Sequence, residues 1–81
     1  MTAIPLRAYA TSGLVSVEVV QALLAFGEPM ITETECAWAC QCREYRAWIR
    51  LRSGGRMFGH GRVRSPQFAA TALLEKLEGR R

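Results

Sequence analysis

The chain has 81 residues, with 11 basic against 7 acidic groups and a formal net charge of +4. That length accommodates one small domain over 1–81, and 49% hydrophobic residues exclude intrinsic disorder. One core of this size leaves little room for a deep, water-excluding active site, which weighs against a self-contained enzyme.

Residues 1–13 contain Pro5 and close on Thr11-Ser12-Gly13, so they read as an extended arm with a break. Residues 16–26 read as a helix. Ser16 suits the N-cap, Glu18 meets the helix dipole, and Val19, Val20, Leu23, Leu24 and Phe26 form an apolar stripe. Gly27 is expected in the left-handed position that ends a helix, and Pro29 blocks continuation. Residues 33–42 carry two competing periods. Cys36, Trp38, Cys40 and Cys42 alternate with Glu35, Ala37, Ala39 and Gln41, which favours a strand. Trp38, Cys42, Tyr45 and Ile49 also fit a helical stripe, which is the alternative.

From Tyr45 the alternation is plain. Tyr45, Ala47, Ile49 and Leu51 lie on one side, and Arg46, Trp48, Arg50 and Arg52 on the other. Ser53-Gly54-Gly55 signals a turn. Met57, Gly59, Gly61 and Val63 then alternate with Phe58, His60, Arg62 and Arg64. The glycines leave room for another element to approach. Ser65 as N-cap and Pro66 at the first helical position open a last helix. In it, Ala69, Ala72, Leu73 and Leu77 form a face able to cover the glycines. The expected class is α+β: a small three-stranded antiparallel sheet with helices on one face, in the order α-β-β-β-α.

The uncovered face would carry Arg46, Trp48, Arg50, Arg52, Phe58, His60, Arg62 and Arg64, and these are the candidate partner-binding residues. Charge is concentrated in this region. Residues 1–42 have one Arg against four Glu, whereas 43–64 have seven Arg against one Glu. Such asymmetry points to an anionic partner: an acidic protein surface, RNA/DNA or an anionic membrane. The stretch lacks the amphipathic helical pattern of an interfacial segment, so no membrane partner is expected. Arginine neutralises phosphate and grips carboxylate in a planar fork, and a central Trp is a frequent binding anchor. Ten of the 11 basic residues are Arg; a GC-rich genome is the other source of such a bias. Cys36, Cys40, Cys42 and His60 are permissible zinc ligands. On a strand, though, Cys36 and Cys40 stand about 13 Å apart at ~3.3 Å per residue, so no metal or other cofactor is expected. No nucleophile–base pair stands out. No apolar run spans a membrane and no export signal opens the chain, so reduced thiols and a cytoplasmic setting are expected. Self-association into a homodimer is open to a domain this small.

Tyr45–Leu77 resembles the second half of a double-stranded RNA-binding domain, which also runs α-β-β-β-α. That family clamps phosphates with a lysine motif opening its last helix. Here Pro66-Gln67-Phe68-Ala69-Ala70 stands in its place without a lysine, and Arg43-Glu44 replaces its minor-groove loop. The resemblance therefore implies the fold, with nucleic-acid binding as the alternative function. Gly54-Gly55-Arg56, Gly59 to Arg64 and the Ala69–Ala72 helix resemble small phage and mobile-element proteins of the anti-CRISPR type. That resemblance implies a stoichiometric inhibitor docking on a subunit of a CRISPR-Cas surveillance complex, of type I, in a bacterial host. The net positive charge argues against a DNA mimic and for an acidic protein patch or exposed guide RNA.

Overall fold

The structure is a computed structural model and describes residues 2–35, 43–59, 61 and 63–79. Residues 2–11 form a strand and a helix in place of an extended arm. Thr2–Pro5 form strand β1 and Leu6–Thr11 helix α1. Pro5 makes the junction at φ −59°, an angle its ring imposes. Leu6 and Tyr9, three apart on one helix face, are both buried.

Helix α2 spans Val17–Leu24 and buries Val20 and Leu23, inside the expected segment. Ser16 takes the N-cap position by a different bonding scheme. Its hydroxyl donates to Glu18 at 2.6 Å, and its amide donates to Gln67 Oε1 at 2.7 Å. The helix stops before Gly27, which is not left-handed. It opens strand β2, Gly27–Glu35, where a Cβ would stand 2.1 Å from the Arg50 carbonyl oxygen. Glycine serves here for close approach of two backbones.

β2 begins earlier than the alternation suggests and shares only residues 33–35 with the expected strand. The choice between strand and helix over 36–42 lies outside the described residues. Pro29 is fully buried inside β2 and paired with Ile49. Ala47 and Leu51 turn their backbone groups toward the following strand, so Ile49 between them does too. The Pro29 nitrogen therefore points away from Ile49, to the side where β1 has already ended at the Pro5–Met30 pair. No ladder bond is lost.

Strands β3, Arg43–Leu51, and β4, Arg56–Phe58, flank the turn, with Gly54 at φ 97° and Gly55 at φ 77°. These angles favour glycine. β4 is shorter than the expected strand over 57–64. Trp48 faces Phe58, so an unbroken ladder would set residue 61 opposite Tyr45; Val63 bridges Tyr45 instead. The two added residues preserve parity, and Val63 packs against the core. Helix α3, Pro66–Glu78, starts as expected, with the Ser65 hydroxyl accepting from the Phe68 amide at 3.2 Å.

The fold is α+β. Its sheet has four antiparallel strands in the order β1-β2-β3-β4, one more than expected. From α2 onward the order is α-β-β-β-α, with β1 and α1 added before it. The helices share one face. Leu6, Tyr9, Val20, Leu23, Ala69, Ala70, Leu73 and Leu77 pack with Ile31, Ala47, Ile49 and Met57 of the sheet. Leu73 comes within 3.2 Å of where a Gly59 Cβ would lie, whereas Gly61 has nothing within 4 Å. The helical layer therefore needs the first of the two glycines only. At one end of this layer Tyr9 donates to Glu33, which also accepts from Arg43 at 2.7 Å.

Candidate binding face

Alternation along β3 sends Tyr45, Ala47 and Ile49 into the core and Glu44, Arg46, Trp48 and Arg50 to the open face. Register then selects their neighbours. Thr34 lies opposite Glu44, Thr32 opposite Arg46 and Glu28 opposite Arg50 on β2. Phe58 lies opposite Trp48 and Arg56 opposite Arg50 on β4, and Ala3 of β1 faces Thr32. Four of the candidate residues thus meet: Arg46, Trp48, Arg50 and Phe58.

Of the other four, Arg52 and Arg64 are placed differently. Arg52 follows the end of β3, and its Nη2 donates to the Leu24 carbonyl at 3.2 Å. It closes the C-terminus of α2, on the helical side, because the turn breaks the alternation that would have kept it with Arg50. Arg64 is exposed between Val63 and the cap residue Ser65, beyond β4. His60 and Arg62 lie outside the described residues.

Arg56 belongs to the face and was missing from the sequence-derived set. Its signal was present: it stands two residues before Phe58, in phase with it, but the Gly54-Gly55 turn drew it into a loop. Thr32 was missed because the strand was expected to begin at residue 33, and Thr34 because its place opposite Glu44 follows from the pairing of β2 with β3.

The side chains form a ladder across two strands. Arg46 Cζ lies 4.7 Å from the Phe58 ring centroid. Phe58 and Trp48 pack with centroids 5.9 Å apart and planes tilted by 30°. Arg56 Cζ lies 5.2 Å from the Trp48 centroid. Each guanidinium–ring contact at such a site is worth about 0.5–1 kcal/mol and the ring pair about 0.5–1.5. The ladder closes over Trp48, which retains only 8% exposure, while Phe58 keeps 37%. Trp48 is therefore an element of the protein's own packing and not the bare anchor its sequence position suggests. Its Nε1–H donates to Thr32 Oγ1 at 2.8 Å.

Beside the ladder is a depression of about 340 Å³. Thr32, Thr34, Arg46 and Trp48 line it from β2 and β3, Ala3 from β1, and Arg56 and Phe58 from β4. Among the described residues, the side chains of Arg46, Arg50 and Arg56 have no ion pair or hydrogen bond. Glu28 is taken by Arg7 at 3.3 Å. Glu28 and Glu44 mark the two ends of the arginine cluster along the strands.

The described residues include no group of three His, Cys, Asp or Glu placed to hold a metal ion. Cys36, Cys40, Cys42 and His60 all lie outside them. No helix of the described chain is long and apolar enough to cross a membrane. Comparison with protein-family models, with curated proteins and with solved structures found no match to this chain.

Proposed function

We propose that this is a non-enzymatic binding protein that docks the open face of its sheet on an acidic patch of a protein partner. The observation that carries this reading is the cluster of Arg46, Arg50 and Arg56. These are three guanidinium groups without an ion pair or hydrogen bond among the described residues, two of them on the nine-pair β2–β3 ladder and Arg56 beside them on β4. Arginines in such a setting make charge-assisted, often bidentate bonds to carboxylates, and arginine is enriched where binding energy concentrates.

Two features favour a protein over a nucleic acid. The rings that could stack bases are already stacked by Phe58, Trp48 and their arginines. A polyphosphate running along the strands would also meet Glu28 and Glu44, whereas a bounded acidic patch fits between them. The resemblance to anti-CRISPR proteins makes a stoichiometric inhibitor of a bacterial defence nucleoprotein the specific form of this proposal. A type I CRISPR-Cas subunit in a bacterial cytoplasm is its first target.

The test is a pull-down with a C-terminal tag from a lysate containing a type I complex, with and without nuclease. The expected result is near-stoichiometric recovery of one subunit, resistant to nuclease and lost in the Arg46→Glu/Arg56→Glu variant. Recovery that disappears on nuclease treatment, and binding whose affinity falls steeply with salt, would replace this reading with the nucleic-acid alternative.

A further inference from the structure

We infer that the depression beside the Arg46–Phe58–Trp48–Arg56 ladder is a carboxylate pocket that receives an Asp or Glu side chain of the partner. The inference rests on the open face being the binding face, and it adds the group that is bound and the atoms that bind it.

Hydrogen-bond accounting carries it. Thr32 Oγ1 accepts the Trp48 indole N–H at 2.8 Å. Its own proton has no acceptor among the described residues, and neither has that of Thr34. A hydroxyl that already accepts is polarised toward donating its proton onward. Arg46 and Arg56 lie over the rings by their Cζ atoms, which leaves the in-plane N–H edges of the guanidinium groups for another partner. The pocket therefore gathers donors from Thr32, Arg46 and Arg56, and among the described residues no carboxylate lines it. Such a lining calls for an anionic acceptor.

The walls say which one. Trp48 and Phe58 present apolar surface, against which the methylene stem of an acidic side chain can pack. Glu44, opposite Thr34, stands by the rim on the same face. A singly charged carboxylate tolerates that neighbour better than a doubly charged phosphate does. The volume of about 340 Å³ takes an acidic side chain together with its flanking backbone.

The test uses the isolated, full-length, ¹⁵N-labelled protein and needs no cellular partner. A capped hexaglutamate peptide is titrated while the indole N–H resonance of Trp48 is followed, assigned by comparison with Trp38→Phe. The expected result is a saturable shift, absent with hexaglutamine. In Arg46→Gln/Arg56→Gln, checked for folding by circular dichroism, the affinity should fall by about tenfold or more. No saturable shift up to about 10 mM peptide, or an equal shift with hexaglutamine, overturns the inference. A shift with inorganic phosphate but not with hexaglutamate overturns the carboxylate assignment. If the titration saturates and the pull-down fails, the inhibitor reading falls and the pocket stands. If the pull-down succeeds and the titration is blank, the reverse holds.

Discussion

Replacing Trp48 by alanine separates packing from recognition at the candidate face. A buried aromatic cut back to alanine costs about 3–5 kcal/mol. Trp48 is 8% exposed and lies on the open side of the sheet, so water can fill the space and the lower end, about 3 kcal/mol, applies. A domain of this length has roughly 4–12 kcal/mol in all. The loss corresponds to a fall in Tm of about 12–24 °C. Urea melts followed by circular dichroism measure it directly. Trp48→Phe keeps most of the ring and loses the bond to Thr32, so about 1 kcal/mol is expected. A loss under about 1 kcal/mol for the alanine variant would refute the argument, because it would mean that the ladder does not shelter the ring. Lost partner binding in Trp48→Ala is therefore no measure of contact, and the arginine variants are the proper probes.

Gly27→Ala has two opposed effects: about 0.4–1 kcal/mol gained from the unfolded chain and a Cβ 2.1 Å from a backbone oxygen. The clash decides, and about 1–3 kcal/mol of destabilisation is expected in the same melts; Gly61→Ala, with open space around it, should be neutral or slightly stabilising. The Ser16 hydroxyl, and after it the Glu18 amide, hold the Glu18 carboxyl below its ordinary 4.5. A lowered value in the folded state means that the stabilisation is complete above the ordinary value and is lost as pH falls through the lowered one. In Ser16→Ala, carbon-detected NMR should find the Glu18 titration moved up and the acid-side slope of stability reduced. Arg52→Ala should cost under about 1 kcal/mol by loss of an exposed helix-end contact and leave partner binding intact; lost binding would return Arg52 to the face.

Where neighbours in sequence decide the structure, the chain was legible. The inward set Tyr45, Ala47 and Ile49, the glycine turn and the Ser65-Pro66 start of α3 follow from alternation, left-handed backbone and capping. Where distant segments decide it, the chain was not. β1 has four residues, too few to show a period, and exists because it pairs with β2 some thirty residues away. Gly27 and Pro29 read as a helix stop, since the close approach of Arg50 and the end of β1 beside Pro29 are facts of pairing. The basic, aromatic character of the face was visible, and its membership was not. Arg52 left it because the turn comes one residue too early, and Arg56 joined it because β4 starts one residue after the glycines.

The strands of the sheet are held very unequally. β2 and β3 share nine registered pairs, β1 has four with β2, and β4 has three with β3. The floor of the depression, Thr32 and Trp48, thus sits on the part of the sheet that opens only with the whole domain. Its walls, Ala3 on one side and Arg56 and Phe58 on the other, sit on edges that fray at far lower free energy. Amide hydrogen exchange should be slowest at Met30, Thr32, Arg46 and Trp48, whose amides point across the β2–β3 pair, and faster at Ile4 and Met57, whose amides hold the edge strands. A partner would meet a fixed base between two yielding sides. Its arrival should be recorded as slowed exchange at the edges, with the centre unchanged.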